Sequence, residues 1–190
     1  IADPRTSVAF SGHRTYCGDA ADALRRTVGE LYARGFRTFL SGMAVGFDLA
    51  AAEAVLELRE RAPGVRLVAA VPFRGQEMRF SPADRERFRC VLAEADSVEV
   101  LAPAYHRGCY AVRNDFLVDN ARVLVAWYDG SPGGTRYTVR RALRRGLEGV
   151  DKRQGWRGPL QHLNTEDQKQ TFFSKKHFQP DDLLGGKWTQ

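Results

Sequence analysis

Short β-forming runs alternate with longer helical patterns through the first 150 residues, and this alternation constrains the fold more than any other feature. Strands that alternate with helices are typical of a parallel sheet, because each parallel pair needs a long crossover connection. Val65–Val71 and Val123–Trp127 are almost continuously apolar, as expected of strands that helices cover on both faces. The predicted fold class is α/β, with a Rossmann-like doubly wound, mainly parallel sheet and helices on both faces.

The pattern predicts five strands and five helices. The predicted strands are Ser7–Phe10, Arg37–Leu40, Val65–Val71, Ser97–Leu101 and Val123–Trp127. The predicted helices are Ala20–Arg34, Val45–Arg61, Pro82–Ala95, Gly108–Asn120 and Arg136–Arg145. Local signals support the third helix, since Ser81 suits its N-cap, Pro82 its first position and Asp84 the acidic position of a capping box.

The composition changes at residue 150. Residues 1–150 contain 22 Arg and no Lys, whereas residues 151–190 contain five Lys and two Arg. We therefore predict one α/β domain over residues 1–150 and a compositionally distinct C-terminal tail of unknown role over residues 151–190.

Charge and cysteine usage restrict the class of protein. The net charge of +6 is compatible with a polyanionic partner but identifies none. Cys17, Cys90 and Cys109 form no C-x-x-C pair, which argues against a disulfide framework or a structural zinc site and is typical of the reducing cytoplasm. No apolar run approaches the roughly 20 residues of a membrane span. We expect a cytoplasmic protein without a metal site or a membrane partner.

Ligands of doubly wound sheets bind outside the carboxyl ends of the strands, so the strand-to-helix junctions are where function is sought. The first two junctions are "FSGHRTYCGD" and "FLSGMAVGFDLAAAEAV". Glycines there permit close approach of a ligand, and free N–H groups at a helix start attract anions. His13 and Arg14 suit a phosphate or a base, or form an ordinary polar loop; Asp48 either binds ribose or complements the helix dipole. The candidate ligand-binding residues here are Ser11, Gly12, His13, Arg14, Ser41, Gly42, Met43, Ala44 and Asp48.

The later junctions add arginine, aromatic residues and a glycine pair. Arg113 offers a forked guanidinium for phosphate, and "DGSPGGT" presents backbone N–H groups and a threonine hydroxyl. Trp127 either borders a base or packs against a helix, and the arginines spaced along residues 136–145 form either a solvated face or a polyanion-binding stripe. The candidate ligand-binding residues here are Phe73, Arg113, Asn114, Trp127, Gly133, Gly134 and Thr135.

The motifs "FSGHR", "SGMAVGFDLAAAE" and "YAVRNDFLVDNARVLVAWYDGSPGGTRYTV" resemble the SLOG superfamily, which includes the DNA-processing protein DprA and the lonely-guy phosphoribohydrolases. The resemblance covers roughly residues 5–146 and is greatest to the YpsA-like branch. It implies a SLOG-like nucleotide-binding domain, in which Ser41–Ala44 and Gly133–Thr135 match the two phosphate-side motifs. Arg113 resembles the arginine of the lonely-guy Arg-x-x-x-Met signature, with Leu117 at the methionine position.

The sequence departs from the lonely-guy pattern where that pattern is catalytic. "PGGTRYTV" lacks the third glycine and has Tyr137, Thr138 and Val139 where the glutamates would stand. A developing oxocarbenium ion needs a nearby carboxylate. The resemblance therefore assigns no catalytic residue and leaves open whether the chain is an enzyme.

Three hypotheses follow. The leading one is binding or sensing of a nucleotide or ADP-ribose-like metabolite at the carboxyl ends of the strands. The first alternative is a nucleotide N-glycosidase or phosphoribohydrolase that uses Arg113 with Asp115 or His13. The second is DprA-like single-stranded DNA binding, which would be strongly salt-dependent and use stacking aromatic residues. A homodimer is expected by analogy with related folds, and the sequence identifies no cofactor.

Overall fold

The computed structural model describes residues 3–151 and 156–159. The strands are β1 (Ser7–Gly12), β2 (Thr38–Ser41), β3 (Arg66–Val71), β4 (Ser97–Val100), β5 (Val123–Trp127), β6 (Glu148–Asp151) and β7 (Trp156–Pro159). The helices are α1 (Ala21–Ala33), α2 (Phe47–Arg59), α3 (Pro82–Glu94), α4 (Cys109–Asp119) and α5 (Gly134–Arg145), with short 3-10 helices at Pro4–Thr6 and Gln76–Arg79.

The strands form one sheet in the order β4-β3-β2-β1-β5-β6-β7. The pairs from β4 to β6 are all parallel, and β7 pairs antiparallel with β6. The chain moves outward from β1 to β4 and then returns to place β5 on the other side of β1. This reversal creates a switch point between β1 and β5, the position at which doubly wound sheets bind ligands.

Helices cover both faces of the sheet, which confirms the predicted α/β doubly wound fold. One core joins Phe10, Phe39 and Leu67 of the sheet to side chains of α1, α2 and α3. The other core joins Ala9 and Leu124 to side chains of α4 and α5. Successive side chains of a strand point to opposite faces, so both faces must be apolar.

The structure confirms the five predicted strands and the five predicted helices, with bounds that differ by no more than two residues. It also confirms the predicted start of α3, because Ser81 Oγ accepts a hydrogen bond from Asp84 N at 3.1 Å. Strands β6 and β7 were not predicted. They span the change of composition at residue 150, and each is only four residues long, too short for a periodic pattern to stand out.

Candidate functional site

The loop between β2 and α2 is held in one conformation by side chains that bind its backbone. Ser41 Oγ accepts from Met43 N at 3.2 Å and donates to Asp48 O at 2.8 Å. Gln76 Nε2 donates to Met43 O at 3.0 Å. Met43 has φ +57°, a left-handed conformation that is uncommon for a residue with a side chain. These bonds offset that cost and fix the direction of the Gly42 carbonyl.

Arg113 of α4 also binds this loop. Helix α4 covers the face of the sheet opposite to α2. Arg113 Nη1 donates to Gly42 O and lies 3.4 Å from Asp48 Oδ2, while Arg113 Nε donates to Asn114 Oδ1 at 2.7 Å. A Cβ on Gly42 would overlap the guanidinium and lie 2.8 Å from Asp48 Oδ2. Gly42 is therefore required for the close approach of Arg113.

Asp48, in the first turn of α2, supplies the negative charge that balances Arg113. It is 3% exposed, and its Oδ1 accepts from Gly12 N at 3.1 Å. Burial raises the pKa of Asp48 to about 6, although Arg113 and the backbone N–H groups of Gly12 and Ala44 favour the ionised form. Burial likewise lowers the pKa of Arg113, and the Asp48 carboxylate opposes that change. The pair joins α4 to α2 next to the end of β1.

A cavity of about 280 Å³ opens at the switch point, beside this ion pair. It lies at the carboxyl end of β1, between the first turns of α4 and α5. Several polar groups converge on this cavity, as they do in small-molecule sites. The lining residues are Ser11, Gly12, His13, Arg14, Asp48, Tyr110, Arg113, Asn114, Gly134 and Thr135.

His13 forms one wall of the cavity and is oriented by Asp129. Its Nε2 lies 2.9 Å from Asp129 Oδ1, and Asp129 Oδ1 also accepts from Ser131 N at 2.9 Å. Asp129 N also lies 3.4 Å from Nε2, so the backbone and the side chain of Asp129 both approach this ring nitrogen. The His13 ring packs against Tyr128, with 5.6 Å between the ring centroids. The structure thus gives His13 the partner that the sequence did not reveal.

The N-terminus of α5 forms another part of the cavity wall. Gly133 precedes the helix with φ +136°, a conformation that favours glycine, and the helix begins at Gly134. Asn114 Nδ2 donates to Gly134 O at 3.3 Å, which ties this first turn to α4. The N–H groups of a first helical turn have no partner within the helix and favour an anion. Thr135, which is 6% exposed, adds a hydroxyl in the same turn.

The other candidate residues lie away from the lining of this cavity. Ser41, Gly42, Met43 and Ala44 form the buried loop that positions Arg113, and Gly133 precedes the α5 turn. Trp127 is 5% exposed and packs edge-on against Tyr16, with 5.3 Å between ring centroids. Phe73 is 4% exposed and packs among Ala102, Cys109 and Tyr110. Their aromatic rings belong to the core.

Tyr110 lines the cavity but was not among the predicted site residues. It is the second residue of α4 and is half-buried. One feature of the sequence could have indicated Tyr110 as a site residue. It lies in the first helical turn after Gly108 and one turn before Arg113. That spacing puts both side chains toward the same end of the sheet.

Asp115, a candidate for catalysis in the hydrolase hypothesis, has a structural role between α4 and α5. Its Oδ1 accepts from Tyr137 Oη at 2.7 Å and lies 2.9 Å from Arg141 Nε. Arg141 Nη2 also binds Asp119, at 2.9 Å. Among the residues that line the cavity, Asp48 is the one carboxylate, and it is committed to Arg113 and Gly12 N.

Over residues 3–151 and 156–159, no helix is both long and apolar enough to cross a bilayer. Within the same ranges, no three His, Cys, Asp or Glu side chains are grouped as metal ligands would be.

Together, the doubly wound sheet and the polar cavity at its switch point define a Rossmann-like α/β protein with a candidate anion site. The family model for YpsA, described as the YspA SLOG family, matches residues 9–149. The chain therefore belongs to the YpsA family of SLOG proteins, as its motifs predicted.

Two relatives agree with this assignment. The chain is 28% identical over 127 residues to a UPF0398 protein of Bacillus thuringiensis strain Al Hakam, covering 65% of this chain and 69% of the relative. It is 28% identical over 140 residues to a UPF0398 protein of Bacillus cereus strain G9842, covering 72% and 76%.

Two DNA processing protein A structures share the fold. The one from Streptococcus pneumoniae superimposes with a TM-score of 0.56 at 19% identity, over 76% of this chain and 49% of that protein. This chain thus spans about half of that protein. The one from Helicobacter pylori, described for its single-stranded DNA binding mode, superimposes with a TM-score of 0.56 at 18% identity, over 87% and 74%.

Proposed function

We propose that this protein binds a nucleotide or ADP-ribose-like metabolite in the cavity at the β1–β5 switch point. The observation that carries the proposal is the convergence of Arg113, the first turn of α5 and the Gly12 loop on one cavity of about 280 Å³. A guanidinium and a helix N-terminus that line the same cavity both favour a phosphate.

Binding without rapid turnover fits the chemistry of the lining. N-glycosidic cleavage needs a carboxylate beside the reacting sugar carbon. The three carboxylates considered for hydrolysis all have partners. Asp48 is held by Arg113 and Gly12 N, and Asp115 lies between Tyr137 and Arg141. Asp129 is bound to His13 and to Ser131 N. We therefore favour a sensing or binding role over hydrolysis.

The test is a thermal-shift screen of the full chain with nucleoside monophosphates, NAD, cyclic nucleotides and ADP-ribose, with free base measured in the same wells. A ligand at 100 times its Kd stabilises the native state by about 2.7 kcal/mol, so a true ligand raises Tm by several degrees. An intact ligand supports binding or sensing. Release of free base would instead show a phosphoribohydrolase.

Gly134→Asp and Gly134→Ala form a matched pair for this screen. A Cβ at position 134 would meet only Asn114 Nδ2, at 3.5 Å, which is an ordinary contact. Both variants should therefore fold, and a carboxylate in a first helical turn is favourable for the helix itself. We expect Gly134→Asp to abolish the shift by repelling the phosphate, and Gly134→Ala to retain it. Equal shifts in both variants would contradict the proposed site.

A further inference from the structure

Tyr110 presents an aromatic ring at the cavity whose position is fixed from behind. The ring packs edge-on against buried Phe73, with 5.8 Å between centroids and 77° between planes. It also contacts Tyr105, with 6.4 Å between centroids. Phe73 and Tyr105 pack edge-on against each other at 5.4 Å. Three mutually packed rings hold Tyr110 in one orientation, so it meets a ligand without a large loss of side-chain entropy.

Arg14 lies against this ring from another element. It belongs to the loop after β1, is exposed, and has its guanidinium carbon 5.7 Å from the centroid of the Tyr110 ring. Both residues line the cavity. An aromatic ring and a guanidinium are the two groups on which proteins stack nucleobases. Arg14 is exposed and long, so it can move aside by the distance that an inserted planar ring requires.

The cavity therefore has two chemically different parts. Arg113, Thr135 and the first turn of α5 form a polar part that suits a phosphate. Tyr110 and Arg14 form a planar part that suits an aromatic ring. Both parts belong to one cavity of about 280 Å³, so a phosphate and a ring of one ligand can meet them together.

We propose that Tyr110 and Arg14 stack the base of the ligand, and that the ligand class is therefore a nucleoside phosphate rather than a sugar phosphate. This inference rests on the proposed function. It gives Tyr110 the role that Trp127 has in the sequence-based prediction. Stacking contacts the flat face of a base, and every base has such a face. We therefore expect this pair to bind nucleotides without a strong preference for one base.

The test compares adenosine 5′-monophosphate, cytidine 5′-monophosphate and ribose 5-phosphate by titration calorimetry with the full chain. Tyr110→Leu removes the ring, and Tyr110→Phe keeps it as a matched control. Base stacking on an aromatic side chain corresponds to roughly a five- to hundredfold change in affinity. We expect Tyr110→Leu to lose that factor for both nucleotides and to bind ribose 5-phosphate as the wild type does, while Tyr110→Phe binds all three normally.

Each outcome has a distinct meaning. Equal loss for ribose 5-phosphate and the nucleotides in Tyr110→Leu would mean that the ring only supports the fold of the cavity, and would overturn the stacking proposal. Wild-type affinity for the nucleotides in Tyr110→Leu would overturn it as well. In both cases wild-type binding of the phosphates leaves the proposed function intact. Failure of the wild type to bind either nucleotide would overturn the stacking proposal, whereas the thermal-shift screen with NAD and ADP-ribose tests the proposed function separately.

Discussion

The guanidinium of Arg113 and the carboxylate of Asp48 form a buried ion pair, with 3.4 Å between Nη1 and Oδ2. The pair joins α4 to α2 through two residues that are 65 positions apart in the chain. Removing one partner of a buried pair leaves an uncompensated charge, which typically costs several kcal/mol. Each partner therefore compensates the buried charge of the other at the edge of the cavity.

The first prediction concerns the pH dependence of stability. The pKa of Asp48 is raised to about 6 in the folded state, from 3.8 for the free side chain. The folded protein therefore retains a proton that the unfolded chain releases between about pH 4 and pH 6. In that window the Asp48 contribution makes the free energy of unfolding fall as pH rises, by roughly 3 kcal/mol in total. Urea unfolding at closely spaced pH values measures this change.

Asp48→Asn isolates this contribution, because all other titrating groups are common to both proteins. The asparagine amide oxygen still accepts from Gly12 N. We expect the wild type to lose stability relative to the variant as pH rises from 4 to 6. Parallel pH profiles for the two proteins would show that Asp48 titrates as an ordinary carboxyl.

The second prediction contrasts two glycine-to-alanine changes. At Gly42 a Cβ would overlap the Arg113 guanidinium and approach Asp48 Oδ2 to 2.8 Å, so the ion pair must shift. At Gly29, within α1, a Cβ meets nothing within 4 Å. We expect Gly42→Ala to lower the free energy of unfolding by about 1–3 kcal/mol, as overpacking does. Gly29→Ala should raise it by about 0.5–1 kcal/mol. Chemical denaturation of both variants checks the opposite signs.

The third prediction is that glycine stabilises the fold more than alanine at position 43, the reverse of the usual order of stability. Met43 is fully buried and has φ +57°, where a Cβ is strained. Met43→Gly and Met43→Ala both lose the buried side chain, but only alanine keeps the strain. We expect Met43→Gly to have the higher free energy of unfolding, by about 1 kcal/mol. Greater stability of Met43→Ala would mean that the loop relaxes out of the left-handed conformation.

The fourth prediction separates the structural role of Asp115 from a catalytic one. Asp115→Asn weakens the contacts with Tyr137 and Arg141, which are partly exposed. The expected loss is about 1 kcal/mol in the free energy of unfolding. Nucleotide affinity should stay within about twofold of the wild type by the same calorimetric titration. If the wild type released free base from a nucleotide and Asp115→Asn did not, the hydrolase hypothesis would replace the sensing one.

Local patterns predicted the elements of this fold and the strand ends around which the cavity forms. The periods of apolar residues indicated β1 to β5 and the five helices, because a strand repeats every two residues and a helix every 3.6. Glycines at strand ends indicated the loops at Gly42 and Gly134. These signals are short-range. They predict the structure correctly because the local preference of each segment agrees with the helix or strand that it forms in the fold.

Side-chain partnerships across the sheet were decided by tertiary structure. The sequence did not indicate that Arg113 would bind Gly42 and Asp48, that Asp129 would orient His13, or that Tyr110 rather than Trp127 would face the cavity. Each of these depends on β5 returning beside β1 and on the helix that each strand end meets. Strand order is set by the packing of whole faces, which no local period encodes. The sequence by itself thus determined a Rossmann-like sheet with glycine loops at its strand ends, and the three-dimensional packing decided which side chains those loops bring together.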